Sequence, residues 1–406
     1  MSVPRKAQDH LESAARVSRR FPARPAPSPT VRVLHVYKSW SADAYGGIEG
    51  FLSTLGSTSR QFGIDTRIMY LAPGRRVRRV RRDGITAYRF PQDGEVASMG
   101  LSWSLLWAYR RLTAWADVLH FHFPWPYGDL VHLVTGVKKP FVVTYHSDVV
   151  RQRSLNCLYA PLRRWFLGRA ARVIATSENY LHTSRVLRGL AQRTRVIPLG
   201  MEDSGRGPGV PLRSAYWRHR LGDDFVLFIG VLRYYKGLHL LLQAAEHIRA
   251  RIVIAGSGPC EQALRSQAKL MGVTNVTFVG EVDPLDKDAL FRLSSLFVFP
   301  SHLRSEAFGL SLVEAAMYGK PQVSCELGTG TTYINRHEET GLVVEPGNPQ
   351  ALSAAVNRLL ADRREREAFG RNGRKRYLEL FTAEGMAEAY AKEYRNVVTE
   401  ARAWKP

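Results

Sequence analysis

Apolar residues cluster in short runs along the chain, and each run is followed by a turn and by apolar positions at helical spacing. Runs of this length that end near glycine, serine or proline indicate buried strands. Apolar positions that repeat every three or four residues indicate helices between them. Strands that alternate with helices predict a parallel α/β fold. The predicted strands are 31–37, 67–71, 85–89, 117–124, 141–148, 173–177, 225–230, 251–259, 276–282, 296–300, 322–325 and 341–347.

The alternation is interrupted by a segment rich in glycine and proline that begins near residue 205. Such a composition indicates a flexible crossing between domains. We therefore predict an N-terminal domain at 31–205 and a C-terminal domain at 206–382. Residues 1–30 are basic and rich in alanine and proline, which predicts a disordered leader. A last helix is predicted within 383–406.

A predicted strand leads into the stretch from Glu306 to Glu314, where Phe308, Gly309 and Leu310 open a helix. The start of a helix offers unpaired backbone N–H groups and a partial positive charge, which suit a phosphate. Gly309 would let that phosphate approach the backbone closely. Glu314 lies at the edge of the apolar face, where a carboxylate is costly unless a donor bonds it. The hydroxyl pair of a ribose would supply two donors.

Two other loops follow strands in the same way. Gly46 and Gly47 lie between the first strand and a helical pattern, and Arg233 and Lys236 follow the strand at 225–230. Ligands of open parallel sheets bind outside the carboxyl ends of the strands. Cations at such a position stabilise the charge that develops on a departing diphosphate without any metal.

Three histidines lie at or near strand ends. His120 and His122 alternate along one strand and are interpreted as structural groups, because buried histidines are commonly satisfied by hydrogen bonds. His146 follows the next strand, and its place at a strand end favours contact with a ligand. We find no Asp-x-Asp pattern and no histidine or cysteine cluster at a strand end, so no metal site is predicted.

The formal net charge of +22 indicates an anionic partner, which could be nucleic acid, a membrane surface or a phosphorylated substrate. Arginines are dense at 75–82, and a second basic region at 151–172 is interleaved with leucines and aromatic residues. That second pattern fits a helix on an anionic leaflet, but for a single helix it slightly favours a core helix with solvated arginines. No helix-turn-helix, finger spacing or RNA-binding aromatic pair favours nucleic acid.

No apolar run approaches the ~20 residues that a membrane-spanning helix needs. The three cysteines, Cys157, Cys260 and Cys325, are scattered without the spacing of a metal or disulfide site. This usage fits a reducing compartment, so we expect the protein in the cytoplasm.

The Glu306–Glu314 stretch, with the order and spacing of the motifs before it, resembles the retaining glycosyltransferases of family 4 (GT4), which have the GT-B fold. The resemblance spans roughly residues 31 to 400. It implies two Rossmann-like domains that face each other across a cleft, with a final helix that returns to the first domain. Two positions depart from the family pattern, because Val231 occupies the usual arginine position and Leu199 replaces the usual asparagine.

The resemblance also implies roles for individual residues. The C-terminal domain would hold a sugar nucleotide by its ribose, diphosphate and sugar hydroxyls, while the N-terminal domain would contact the reacting sugar and the acceptor. The residues with implied catalytic roles are His146, Glu306, Lys236 and Arg233. The residues with implied roles in donor binding are Gly46, Gly47, Val282, Phe308, Gly309, Leu310 and Glu314.

We therefore expect a retaining hexosyltransferase that uses no cofactor and no metal. The motifs resemble a subgroup that adds mannose-like or rhamnose-like sugars to surface polysaccharide, which favours a GDP-linked donor over a UDP-linked one. The expected acceptor is lipid-linked or a saccharide, and the expected place is the cytoplasm at the inner face of the cell membrane, on an anionic surface. An epimerase or a phosphorylase of the same fold is the alternative.

Overall fold

The computed structural model describes residues 30–40, 46–96, 99–148, 153–203 and 210–403. The predicted leader, up to residue 29, and the glycine-rich crossing at 204–209 lie outside the described residues. The described chain forms two α/β units, each built on its own sheet.

The N-terminal unit contains one large sheet, one short hairpin and the helices that connect their strands. Its elements are β1 (Val31–Val36), α1 (Gly47–Thr58), β2 (Ile64–Ala72), β3 (Arg78–Arg82), β4 (Ile85–Pro91), β5 (Gly94–Val96), β6 (Met99–Leu101), α2 (Trp103–Trp115), β7 (Val118–Phe123), α3 (Pro126–Thr135), β8 (Phe141–Tyr145), α4 (Arg153–Arg169), β9 (Arg172–Ala175), α5 (Glu178–Thr183), α6 (Arg185–Arg188) and β10 (Thr194–Val196).

The large sheet has the strand order β10-β9-β8-β7-β1-β2-β4-β3. Its pairs are parallel except for β3, which runs antiparallel to β4. The sequence analysis gave no strand at 75–82, because an arginine-rich stretch lacks the apolar residues of a buried strand. In the structure this stretch forms β3, a strand at the edge of the sheet. Charged side chains on an edge strand face water and discourage pairing with another chain.

The C-terminal unit has a second sheet, with helices on both of its faces. Its elements are α7 (Val210–Leu221), β11 (Val226–Ile229), α8 (Leu238–Ala245), β12 (Ile252–Ala255), α9 (Glu261–Leu270), β13 (Val276–Gly280), α10 (Pro284–Leu293), β14 (Leu296–Phe299), α11 (Leu310–Met317), β15 (Gln322–Cys325), α12 (Gly330–Ile334), β16 (Gly341–Val344), α13 (Pro349–Ala361), α14 (Arg363–Leu380) and α15 (Ala383–Ala403).

The second sheet is wholly parallel, with the order β13-β12-β11-β14-β15-β16. Counted along the chain this is the order 3-2-1-4-5-6 of a dinucleotide-binding sheet. The order reverses between β11 and β14, so the loops that follow these two strands diverge and leave a crevice between them. The N-terminal sheet reverses in the same way between β1 and β7.

The strands predicted from the apolar runs are all present, although several end earlier than predicted. The run at 141–148, for example, leaves the sheet after Tyr145. The helix predicted near the C-terminus is also present as α15. Apolar runs identify buried parallel strands well, because such strands are covered on both faces and need few polar residues.

Two segments cross between the units side by side. Met201 pairs with Thr382 in a short parallel bridge. Next to it, the guanidinium of Arg374 donates to both carboxylate oxygens of Asp203, at 3.1 and 2.6 Å. A bidentate pair of this kind fixes orientation as well as distance, so the two crossings are held together.

Helix α15 lies on the N-terminal sheet although the chain reaches it through the C-terminal unit. The hydroxyl of Tyr390 bonds Thr144 Oγ1 at 2.8 Å, and the hydroxyl of Tyr394 bonds His120 Nδ1 at 2.6 Å. Residues four apart on a helix share a face, so one turn of α15 satisfies two buried polar groups of the sheet.

We expect the substitution Tyr394→Phe to lower the free energy of unfolding by about 1–3 kcal/mol, because it leaves the buried Nδ1 of His120 without its partner. Chemical denaturation followed by circular dichroism measures this. Tyr216→Phe is the matched control, since Tyr216 is half exposed and its loss should change stability by less than about 0.5 kcal/mol. Equal effects of the two substitutions would contradict the proposed contribution of the hydroxyl.

Candidate active site

Helix α11 begins at the reversal point of the C-terminal sheet. Its first turn is preceded by Gly309, which has φ of 96°. Residues with a side chain rarely adopt this backbone conformation. A Cβ at this position would lie 3.1 Å from Leu312 Cδ1 and 3.3 Å from Phe299 Cε1. Glycine therefore sets the direction from which the backbone enters the helix, and it keeps the helix start free of a side chain.

Helix α1 of the N-terminal unit begins opposite this point. A Cβ on Gly47 would lie 3.2 Å from Leu310 Cδ1, so the two helix starts approach each other across the gap between the units. Gly46 is the N-cap of α1, and no side chain caps the first turn of either helix. Two uncapped helix starts that face one gap form a place suited to an anion.

Lys236 and Glu306 form an ion pair beside the start of α11. Lys236 Nζ lies 2.6 Å from Glu306 Oε2, and both residues are more than nine-tenths buried. Ser301 Oγ donates to the same carboxylate oxygen at 3.2 Å. The ammonium also lies 4.6 Å from the centre of the Phe299 ring. The structure thus brings together two of the predicted catalytic residues and fixes both of them.

Arg233 is placed differently from Lys236. Residues Tyr234–Lys236 form a single 3-10 turn, in which Lys236 is buried while Arg233, just before it, is exposed. The sequence analysis placed both cations on one loop, beside the diphosphate. The structure instead gives them different environments, one buried and one exposed. Arg233 remains a predicted diphosphate contact, at the solvent side of the crevice.

Glu314 forms an ion pair with Lys287, a residue of α10 that the sequence analysis did not single out. The attraction of this carboxylate raises the pKa of Lys287. The contact involves Oε1 of Glu314. Val282, which is half buried, lies shortly before the start of α10. Two of the predicted donor-binding residues, Glu314 and Val282, therefore adjoin the same helix.

The N-terminal unit contributes a row of hydrogen-bonded histidines. His146 Nε2 lies 3.1 Å from His122 Nδ1, and His122 Nε2 lies 3.0 Å from His35 Nδ1. Burial lowers the pKa of both His146 and His35 to about 3, and it lowers the pKa of His122 well below the ordinary value. All three rings are therefore neutral at physiological pH. The ring of Phe51, from α1, lies 5.3 Å from that of His146.

His120 lies on the same face of the sheet and is fully bonded. Its Nδ1 bonds the Tyr394 hydroxyl, and its Nε2 lies 2.7 Å from Thr144 Oγ1. The interpretation of His120 and His122 as structural groups agrees with this burial and bonding.

The sequence analysis missed one member of this group, His35. Nitrogens of His35, His120 and His122 lie within 4.8 Å of one another, close enough to hold a metal ion. The sequence analysis found no histidine cluster at a strand end, and for this sheet that statement was wrong. The cluster was missed because the three residues lie on two strands that are far apart in sequence, although His35 pairs with His120 in register. Binding a metal here would break hydrogen bonds that the rings already make.

The predicted site residues thus lie around the gap or at its edges. Lys236 and Glu306 lie with the start of α11, and the Gly46–Gly47 turn faces that start from the other unit. His146 lies beside α1. Arg233 and Val282 lie at the edges of this arrangement, as does Glu314 with its lysine partner. The roles assigned to these residues stay predictions.

Two family models match the chain. The model of glycosyl transferases group 1 matches residues 214–376, and the model of glycosyltransferase family 4 matches residues 45–204. Each match covers one of the two α/β units, and together they span both sheets nearly completely.

Two relatives match over almost their whole length. The D-rhamnosyltransferase WbpZ of Pseudomonas aeruginosa is 48% identical over 353 residues, which cover 87% of this chain and 93% of the relative. The O-antigen chain mannosyltransferase C of Escherichia coli is 40% identical over 368 residues, which cover 91% of this chain and 99% of the relative.

Solved structures of low sequence identity share the fold. The sucrose-phosphate synthase of Thermosynechococcus elongatus superposes with a TM-score of 0.75 at 22% identity, covering 91% of this chain and all of that one. Anabaena Alr3699/HepE in complex with UDP superposes with a TM-score of 0.73 at 18% identity, covering 90% of this chain and all of that one. The GT-B prediction, two Rossmann-like domains, is confirmed.

We expect the free energy of unfolding to fall as the pH drops below about 6.5. The histidines of the unfolded chain then become protonated, whereas the buried rings of the folded protein stay neutral. The contribution is complete above that pH and is lost progressively toward pH 3, the folded pKa of His35 and His146. Each such ring adds a slope of about 1.4 kcal/mol per pH unit. Denaturant unfolding at pH 7, 6 and 5 measures the slope.

The substitution His35→Asn should reduce this slope by roughly one proton, because it keeps a polar atom near Nδ1 but removes the titrating ring. His219→Asn is the control, since His219 is exposed and should leave the slope unchanged. A stability that does not depend on pH between 7 and 5 would show that the rings are not held neutral by burial.

Proposed function

The chain belongs to glycosyltransferase family 4, and we propose that it moves mannose or D-rhamnose from a GDP-linked donor to a lipid-linked or saccharide acceptor in surface polysaccharide synthesis. The protein is a hexosyltransferase, as its relatives are. The donor is the finer part of the proposal. It is supported by the names of the two relatives and by the motifs after β11 and β15, at 230–237 and 328–331. A UDP-linked donor is the alternative.

One observation carries the proposed reaction centre. The uncapped starts of α1 and α11 face each other at the reversal points of the two sheets, with Gly47 against Leu310. Backbone N–H groups at a helix start bind phosphate oxygens, and both helix dipoles favour negative charge at the same place. A donor diphosphate fits between them, with its sugar directed toward His146.

Lys236 then lies beside the bond that breaks. Its ammonium is buried and held by Glu306, so its position is fixed before the donor binds. As the leaving group gains negative charge, the lysine stabilises it without reorganising. Glu306 is placed to accept hydrogen bonds from sugar hydroxyls. We propose retention of configuration, with the leaving phosphate taking the acceptor proton, and no need for a metal or a cofactor.

The proposed membrane association has its support in the N-terminal unit. On α2, Trp103 and Trp107 are 70% and 85% exposed, and Arg111 continues the same face at i+8. Leu158 on α4 is 79% exposed. Exposed tryptophans beside arginines are typical of surfaces that sit at an anionic membrane interface. No helix in the described part of the chain is both long and apolar enough to cross a membrane.

A thermal-shift panel of GDP, UDP, ADP and TDP sugars tests the donor. We expect GDP-mannose or GDP-D-rhamnose to stabilise the protein most, by about 2.7 kcal/mol at a hundred times the dissociation constant. His146→Ala should keep this binding, whereas Glu314→Ala should lose it together with the ribose contact. Sugar release without transfer, or dependence on pyridoxal phosphate, would favour the epimerase or the phosphorylase.

We expect Lys236→Met to lower kcat by about 100-fold or more while donor affinity changes little, because the lysine acts on charge that appears in the transition state. The substitution also leaves Glu306 buried and unpaired, which costs about 3–5 kcal/mol of stability. The double variant Lys236→Met/Glu306→Gln should recover stability but not kcat. Equal losses in kcat and in donor affinity would instead assign the lysine to ground-state binding.

A further inference from the structure

A cavity of about 350 Å³ lies between the two units, beyond the carboxyl end of β8. Its lining includes three arginines that come from separate elements: Arg163 from α4, Arg185 from α6 and Arg304 from the loop between β14 and α11. None of the roles assigned to the donor or to catalysis uses these side chains.

The cavity is strongly cationic. The lining holds one carboxylate, that of Asp148, against three arginines. Oxygen Oδ1 of that carboxylate already accepts hydrogen bonds from the hydroxyls of Tyr145 and Ser184, both at 2.8 Å. Its other oxygen lies 3.8 Å from Arg304. The carboxylate is thus fixed by neutral donors, and two positive charges remain in excess.

Arg304 is held in place before any ligand arrives. Its Nη1 donates to the carbonyls of Leu327 and Gly328 at 3.0 and 3.1 Å, and its Nη2 donates to Thr183 Oγ1 at 3.1 Å. These bonds join the C-terminal unit to α5 of the N-terminal unit. A guanidinium has five N–H donors, so the remaining ones can still serve a ligand from a fixed position.

The place of the cavity decides which ligand it would serve. Asp148 follows His146 by two residues, so the Cα atoms of the two residues lie within about 7 Å of each other. His146 is the histidine predicted to contact the donor sugar. The donor diphosphate is assigned to the helix starts and Lys236. A group in the cavity therefore approaches the reacting sugar from the acceptor side. Arginines bind phosphate oxygens in pairs and at fixed geometry, whereas neutral sugars do not need three of them.

We propose that this cavity binds a phosphate or diphosphate group carried by the acceptor. The inference rests on the proposed transfer reaction, and it narrows the acceptor from any saccharide to a phosphorylated one. A soluble sugar phosphate and a lipid-linked sugar diphosphate share this chemistry. In either, the phosphate anchors the acceptor while its sugar hydroxyl reaches the donor.

Calorimetric titration with inorganic pyrophosphate tests the cavity directly, first with the free protein and then with saturating GDP to fill the donor site. We expect pyrophosphate still to bind when GDP is present. Arg185→Gln should weaken that binding about tenfold or more, the usual effect of losing one charge-assisted bond. Arg188→Gln is the matched control, because Arg188 is also exposed on α6 but does not line the cavity.

Loss of pyrophosphate binding once GDP is present would overturn the proposal, and so would equal weakening by Arg185→Gln and Arg188→Gln. Failure of every nucleotide sugar to bind would instead overturn the proposed transfer reaction. The comparison of Arg185→Gln with Arg188→Gln in the nucleotide-free protein would still decide the cavity.

Transfer assays give the second measurement and separate the two sources of the phosphate. We expect Arg185→Gln to raise the KM for a phosphorylated acceptor about tenfold or more, with the donor KM and the acceptor-independent hydrolysis of the donor unchanged. The acceptors compared are an unphosphorylated saccharide, a soluble sugar phosphate and a detergent-solubilised lipid-linked sugar diphosphate. Equal use of all three by both proteins would contradict the inference.

Discussion

The close approach of two helix starts is the constraint on which the site depends. Gly47 and Leu310 belong to different units, yet an added methyl group on the glycine would already crowd the leucine. Each helix starts where the strand order of its own sheet reverses, so the polarity of both sheets places positive helix ends at one gap. The buried pair of Lys236 with Glu306, and the row of histidines ending at His146, are arranged around that gap.

The carboxylates of the C-terminal unit illustrate how such a site stays stable without its substrate. Glu306 and Glu314 are both largely buried, and each has a lysine partner. A buried carboxylate without a partner would cost several kcal/mol. The lysines therefore keep the site folded, and the same pairing makes their charges available to a diphosphate that competes for them. The same pair of charges thus stabilises the folded site and, in the proposed reaction, the departing diphosphate.

Much of this architecture could be predicted from the sequence, because buried parallel strands appear in it as apolar runs. The stretch from Glu306 to Glu314 could also be identified, because its functional residues lie close together in the sequence. What escaped prediction depends on contacts between distant residues. Lys287 pairs with Glu314 from another helix, and no local pattern marks it. His35 joins His122 only through strand register. Arg233 and Lys236 were read as a pair, but a 3-10 turn buries one and exposes the other.

Helix α15 has a consequence for how the protein is made. Thr144 and His120 receive their partners from residues 246 and 274 positions later in the chain. At ordinary rates of translation those partners leave the ribosome on the order of tens of seconds after the sheet that needs them. During that interval the first sheet exposes a polar, histidine-lined face to water. The N-terminal half can therefore complete its interior only after the whole C-terminal half has been synthesised, and the two halves mature as one unit.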